Sequence, residues 1–469
     1  MTRNQKISIF ITGSLLLSLG ACVTQKYERP AELKTEGLYR DANSTDTTSI
    51  ADLPTSTLFT DPKLQALIKE GIENNLDLKS AIERMKSAEA NLRLSKAAFL
   101  PSLSADLSAA DNKQSRAALN FPPGININTE TQLYRAQLSA SWEIDVWGKL
   151  GSAKRSAVAS FLQTDAAKRA VQTQLVSSIA NSYYTLLALD LQLKITEQTL
   201  ESRIKNVDAI KSLKEAGIVT GAAVVQSEAN RYAAEVTIPD LKRSIRETEN
   251  ALNVLLGKGP GAVNRGTLEA QQDYKDLKVG IPSLLLKNRP DVEQAEFAFK
   301  VAFENTNLAK TYFYPQLTLT ANGGISSLTI ENLFTNSIFY NFAAGLTQPI
   351  FNRGQNKARL TSAKAAQQES FFTFQKTILN AGSEVSNALY AYQAAVEKET
   401  SRAKQIASLE KAVDYTKELL KYSSATNYTD VLTSEQSLLA AQLSGVNDRL
   451  QKLQSIVNLY RALGGGWKE

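Results

Sequence analysis

The chain is written twice. Residues 74–103 lie over 288–317 without a gap, at a constant shift of 214. Asn74, Asn75, Leu76, Asp77 and Leu78 fall on Asn288, Arg289, Pro290, Asp291 and Val292. Further on, Ala81, Asn91, Leu94, Lys96, Phe99, Pro101 and Leu103 recur as Ala295, Asn305, Leu308, Lys310, Phe313, Pro315 and Leu317. A second stretch, 214–257, lies over 421–464 at a shift of 207, with Lys214, Val224, Ser227, Glu228, Leu252, Leu256 and Gly257 recurring as Lys421, Val431, Ser434, Glu435, Leu459, Leu463 and Gly464. The period is far longer than the roughly 20–50 residues of a solenoid repeat. Any fold must therefore be built from two related halves.

Each half opens as a helix, with Asp77 or Asp291 in the first turn, where a carboxylate favours the exposed N–H groups, and with Pro290 suited to a first helical position. Helix gives way to strand at Phe99-Leu100-Pro101 and Phe313-Tyr314-Pro315. Leu103, Ala105, Leu107 and Ala109 then alternate with Ser102, Ser104, Asp106 and Ser108; Leu317, Leu319 and Ala321 alternate with Gln316, Thr318, Thr320 and Asn322. After loops expected near 113–130 and 324–336, alternation returns at Tyr134–Ile144 and Ile338–Leu346. Four strands of about ten residues, apolar on one face and polar on the other, suit a lipid-facing wall with a wet interior. Aromatic residues gather towards the strand ends (Trp142, Trp147, Phe313, Tyr314, Phe351). A sheet in lipid must close, and four strands cannot close alone. Glu143 and Asp145 read as a carboxylate pair on one strand face, lining a pore.

The remainder reads as long helices. Ser152 to Ala216 contains neither Gly nor Pro; at 1.5 Å per residue such a run reaches roughly 100 Å. Ile406, Leu409, Val413, Thr416 and Leu420, and Leu439, Leu443, Val446, Leu450, Leu453, Val457 and Tyr460, repeat at coiled-coil spacing. Turns are expected near 217–221 and 424–428, and Pro239 is a possible kink.

The N-terminus is an address. Arg3 and Lys6 precede a mainly apolar run, Ile7–Leu19, too short for a comfortable span. It ends in Leu19-Gly20-Ala21-Cys22, the pattern of a bacterial lipoprotein signal, and Cys22 is the only cysteine. Acylated Cys22 would hold the mature chain in a leaflet. Val23, where an Asp would favour inner-membrane retention, points to the outer membrane. Composition excludes most chemistry. There is no histidine, and a single cysteine permits no intrachain disulfide or Cys–His pair. Only Met1 and Met85 are methionines, so neither a catalytic site, a cofactor site nor a metal site is expected. A net charge of +6 over 469 residues is too thin for a nucleic-acid binder.

With these pieces in place the sequence resembles the outer-membrane efflux protein family, of the TolC and OprM type, in its lipoprotein branch. The likeness rests on Asn288-Arg289-Pro290-Asp291-Val292, Thr347-Gln348-Pro349-Ile350-Phe351, Ile238-Pro239-Asp240-Leu241 and Leu463-Gly464-Gly465-Gly466-Trp467, together with the duplication and the lipoprotein signal. It implies a mainly α mixed fold: a homotrimer whose twelve-stranded outer-membrane β-barrel continues into a long periplasmic α-helical barrel. The expected organisation is a signal peptide over 1–21, a lipidated N-terminal and equatorial segment over 22–60, a first repeat over 61–257, an equatorial segment over 258–282, a second repeat over 283–464 and a tail over 465–469. Implied partners are a periplasmic adaptor, an inner-membrane pump and outer-membrane lipid. The family closes its tunnel at the helix tips, which here hold Lys214 and Glu215 in one half and Lys421, Tyr422, Thr426, Asn427, Tyr428 and Asp430 in the other. Many members carry an Asp ring and a Gly in the second tip; Thr426 and Ser424 stand there in this chain. The implied activity is passive export of small molecules. Two alternatives are a duct for secreted polypeptides and a non-conducting periplasmic coiled-coil lipoprotein.

Overall fold

The computed structural model describes residues 24–30, 37–40, 47–119, 128–274, 277–422 and 428–468. Cys22, Thr426, Asn427, the signal peptide and the side chain of Lys421 lie outside the described residues. After helix α1 (Pro62–Asn74) come two series of elements in the same order. The first is α2 (Leu76–Ala97), β1 (Ser102–Lys113), β2 (Glu130–Ile144), α3 (Lys149–Glu215) and α4 (Gly221–Leu255). The second is α5 (Pro290–Thr311), β3 (Gln316–Ser327), β4 (Ile338–Thr347), α6 (Gln355–Tyr422) and α7 (Tyr428–Ala462). The matched helices have 22 and 22, 67 and 68, and 35 and 35 residues. None of them is long and apolar enough to cross a membrane.

The chain forms two compact units. The first comprises residues up to Pro30, Lys86–Gln163 and Glu296–Thr373. It holds a four-stranded antiparallel sheet in the order β1-β2-β3-β4. Gly324, expected in a loop, lies within β3, which runs on to Ser327. A Cβ at Gly324 would sit 2.0 Å from the Ala136 carbonyl oxygen, so the residue is glycine because the β2 backbone approaches it closely. Residues 24–30 strap onto α5. Asn307 donates to the Gln25 carbonyl at 2.8 Å, Arg29 grips Glu296 at 2.8 and 2.5 Å, and Tyr27 meets Phe299 and Phe303 edge-on.

The second unit comprises Ala31–Met85, Thr164–Ala295 and Phe374–Glu469. Its core includes Leu64, Ile179, Tyr183, Leu186, Leu252, Leu256, Phe374, Val385, Leu459 and Tyr460. The duplication reappears in its joints. Helices α4 and α7 each end on a left-handed glycine, Gly257 (φ +70°) and Gly464 (φ +89°). Both ends carry the paired hydrogen bonds of a Schellman cap: Lys258 N–H to Asn253 O and Gly257 N–H to Val254 O in the first, Gly465 N–H to Tyr460 O and Gly464 N–H to Arg461 O in the second. Each glycine lies against the backbone of the matched residue, Asn74 or Asn288. A side chain then satisfies each helix's last carbonyls. Asn75 donates to Leu255 O at 2.9 Å, and Arg289, 4% exposed, donates to Ala462 O at 2.9 Å. Leu255 and Ala462 differ by 207, Asn75 and Arg289 by 214, the two shifts read from the sequence.

Candidate functional site

The strand ladder makes two continuous faces. Directly paired residues share a face, so register decides whether apolar positions line up. They do: Leu103, Ala140, Ala321 and Phe342 form one row across the sheet, Ala105, Leu138, Gly323 and Tyr340 the next, and Leu107, Ala136, Ile325 and Ile338 a third. This apolar face is open, with Leu107 83% and Ile338 84% exposed. The opposite face carries Ser104, Ser139, Asn322 and Asn341 in one row and Ser141 beside Thr320 in another. Strands β1 and β4 each have one unpaired edge among the described residues. Such a sheet is complete only with further strands on both sides.

At the strand feet, Trp142 donates to Phe99 O at 3.0 Å, and Trp147 donates to Pro315 O at 2.7 Å while stacking on Tyr314. Glu143 stands on the polar face opposite Thr318, accepts from Gln316 at 2.7 Å and pairs with Lys149 at 3.0 Å. Asp145 stands one residue beyond the strand. The strand ends at Ile144, and both Asp145 oxygens accept N–H groups at the start of α3, from Leu150 at 2.9 Å and Gly151 at 2.7 Å. It is a helix cap.

In the second unit the α3–α4 and α6–α7 tips pack together. Ile210, Val224, Tyr428, Val431 and Leu432 form a buried cluster, with Leu213 and Leu420 against it. Gly217 (φ +73°) caps α3, with Ile218 N–H bonded to Leu213 O. Of the tip residues singled out by sequence, Tyr428 is 7% exposed and donates to Ser227 at 2.8 Å. Burial pushes its phenol above the ordinary value, and Glu435 adds to this. Tyr422 is 86% exposed; Lys214, Glu215 and Asp430 are exposed too. Sequence reading missed the polar web beneath them. Asn206 donates to both oxygens of Glu435, which also pairs with Lys417 at 2.8 Å. Gln436 donates to Asn230 at 2.7 Å. Arg203 is buried on the Asn230 carbonyl, and burial lowers its pKa. The available signal was the presence of polar residues inside runs of helical apolar spacing.

Ion networks also join segments far apart in sequence. Asp273 and Glu399 bridge Arg449 and Lys452. Arg265 lies between Asp190 and Glu249. Asp61 accepts from Tyr183 at 2.6 Å and Gln271 at 2.8 Å; burial pushes its carboxyl up, but these hydrogen bonds outweigh burial and leave it lowered. Among the described residues no three acidic residues cluster to hold a metal.

A two-faced strand wall joined to paired long helical hairpins defines an outer-membrane channel. The family model described as "Outer membrane efflux protein" matches residues 67–258 and 281–465. The probable efflux pump outer membrane protein TtgC of Pseudomonas putida is 31% identical over 88% of this chain and 84% of its own length. The cation efflux system protein CusC of Escherichia coli is 30% identical over 96% of both chains. A solved structure of CusC superposes with a TM-score of 0.84 at 28% identity, covering 94% of this chain and 99% of that one. The chain belongs to the outer membrane efflux protein family, and it is an outer-membrane efflux channel protein.

Proposed function

We propose that three copies assemble into the exit duct of a tripartite efflux system. The observation that carries this reading is the strand wall, apolar on one face, wet on the other and open at both edges. Three copies would supply twelve strands, and the paired hairpins would line the periplasmic passage. Solutes would pass from an inner-membrane pump, through a periplasmic adaptor, to the exterior, with no chemical step. Cys22 is the proposed lipid anchor. Two residues on, the described chain begins at Thr24, and the strap on α5 continues from there. Exposed Tyr422, Asp430, Lys214 and Glu215 are the proposed gate side chains at the described tips, with Lys421, Thr426 and Asn427 alongside, while buried Tyr428 ties the two hairpins together. TtgC and CusC are named for different systems, which supports a duct whose cargo is chosen by the pump.

The test is crosslinking of the tagged protein in its own cells, purification in mild detergent and identification of what co-purifies. A proton-driven pump with its adaptor is the expected result. Capture of an ATP-driven polypeptide exporter would replace small-molecule export by secretion. Recovery of neither, together with no conductance in a planar bilayer, overturns the duct.

A further inference from the structure

The open sheet face has a measurable height. Its lowest row is Ile144, Leu317 and Leu346 at the strand feet, and its highest apolar row is Ala109 with Tyr134. The next rows are polar: Asp111 with Gln132, then Lys113 with Glu130. The step from Ile144 to Tyr134 along β2, at about 3.4 Å per residue and a tilt of about 40°, spans about 26 Å, the height of a barrel's apolar band. The lower edge of the band therefore lies at Ile144 and Leu317, the side from which the helices leave. Trp147 stacks on Tyr314 just beyond it, where interfacial aromatics belong. The headgroups of the periplasmic leaflet begin there.

Basic residues gather at this edge. Residues 351–368, which follow β4 and start α6, include Arg353, Lys357, Arg359 and Lys364 and no carboxylate. Arg353 and Lys357 flank the positive end of α6, where cations are unfavourable unless an anion lies among them. Lys310, in the last turn of α5, donates to the Gln25 side chain of the strap at 3.2 Å. Burial lowers the Lys310 pKa, and the charge of Lys364 lowers it further. Carboxylates do not relieve this repulsion. Glu296 pairs with Arg29 and Glu304 with Arg155, while Glu28 and Glu369 pair with neither lysine. The strap sets the side of the wall. Gln25 is three residues from Cys22 in sequence, so the chain separates them by at most about 10 Å.

We propose that Lys310 and Lys364 clamp the phosphate of an anionic phospholipid in the periplasmic leaflet, with its acyl chains along the apolar foot of the wall. The proposal rests on the reading of Cys22 as the anchor, which puts the pair on the lipid side. Lysine binds phosphate as a point charge, and two of them favour a headgroup with no cation of its own. A zwitterionic headgroup brings an ammonium against the second lysine and is held more weakly.

The test is native mass spectrometry of the full-length oligomer, released from nanodiscs holding phosphatidylglycerol and phosphatidylcholine in equal amounts. One phosphatidylglycerol retained per chain is expected, at least fivefold over phosphatidylcholine. Lys310→Gln with Lys364→Gln should bring the ratio close to one, and Lys364→Gln alone should remove part of the preference. Lys310→Arg with Lys364→Arg should keep it. Lys404→Gln, the same loss of charge at an exposed position further along α6, should leave it unchanged. Thermal unfolding followed by circular dichroism checks that each variant is folded. Equal retention of the two lipids, an unchanged ratio in the folded double glutamine variant, or an equal loss in Lys404→Gln overturns the clamp. Displacement by equimolar inorganic phosphate overturns it too, because the pair would then be a site for free anions. The mass of the N-terminal peptide reports acylation separately. An acylated protein without lipid preference loses only the clamp, whereas preference without acylation keeps the clamp and loses the anchor.

Discussion

Replacing Gly464 by alanine tests the joint on which the second half closes. Three glycines with positive φ provide a graded series. At Gly217 (φ +73°) an added Cβ meets nothing within 4 Å, so the cost is conformational alone. That cost is about 1–2 kcal/mol, reduced by about 0.4–1 kcal/mol because alanine also restricts the unfolded chain, leaving about 1 kcal/mol. At Gly464 the Cβ would stand 2.3 Å from the Asn288 carbonyl oxygen, 2.6 Å from its carbon and 2.9 Å from Arg289 N. These are backbone atoms, and no rotamer change relieves them. The end of α7 would have to retreat by roughly 1 Å, an overpacking of about 1–3 kcal/mol. The same retreat stretches the Arg289 bond to Ala462 O, and a hydrogen bond to a charged group is worth about 1.5–3 kcal/mol. Gly464→Ala should therefore lose about 5 kcal/mol. Gly257→Ala, with its closest atom at 2.6 Å and only the neutral Asn75 bond at stake, should lose about 3 kcal/mol. The assay is thermal unfolding of the purified channel followed by helical circular dichroism. If Gly464→Ala melts together with Gly217→Ala, the close approach does not constrain the fold and the reasoning fails.

The two faces of the wall predict opposite tolerance to one residue type. Leu138→Arg puts a cation on the apolar face at about 2–4 kcal/mol per copy near the bilayer midplane, and should strip the protein from outer-membrane fractions, whereas Ser139→Arg, one residue away on the wet face, should assemble normally. Asp291 sits against Arg289; burial pushes its carboxyl up, but the guanidinium outweighs this and holds it lowered. Its contribution is thus present above the ordinary carboxylate range and lost as pH falls through the depressed folded value, so the stability gap between wild type and Asp291→Asn should shrink on acidification. A gap independent of pH would remove Asp291 from the ion pair. Tyr428→Phe should cost about 1 kcal/mol through loss of the Ser227 bond and leave conductance unchanged. Tyr422→Ala and Asp430→Asn should raise single-channel conductance, and unchanged conductance removes both from the gate.

What could be read from the sequence was what repeats at short period. Strand alternation places Leu103, Ala105, Leu107, Ala136, Leu138, Ala140, Ala321, Ile338, Tyr340 and Phe342 on one shared face, because period two is a local property, whereas Ile325 fell in the expected loop. The glycine-free run before Gly217 likewise marks α3 to within a few residues. Gly324 resisted the same reading, since glycine signals a loop locally, while its reason here is the nearness of Ala136 in a strand remote in sequence. Asp145 shows the limit of the pattern too: the strand stops one residue earlier, and the carboxylate two positions after Glu143 caps a helix. Tyr428 stood in a turn by sequence and was grouped with exposed tip residues, but its partners Ile210, Val224 and Ser227 belong to the other hairpin. Positions set by tertiary approach leave no periodic trace.

That division bears on what the motifs mean. Arg289 and Asp291 of the Asn288–Val292 motif, and Gly464, are consumed by the joints of the fold: a helix end, a close backbone approach and a buried ion pair. The same joint in the first half is made by Asn75 and Gly257 with no charge at all. A charged and a neutral solution to one backbone problem show that geometry, and not a bound ligand, sets these residues. The family likeness they carry therefore specifies how two halves close and says little about what passes between them. Gln348 is the exception within the motifs, its side-chain oxygen buried and left without a partner. Nothing in these joints distinguishes one cargo from another, so motif likeness alone predicts a shared duct and not a shared solute.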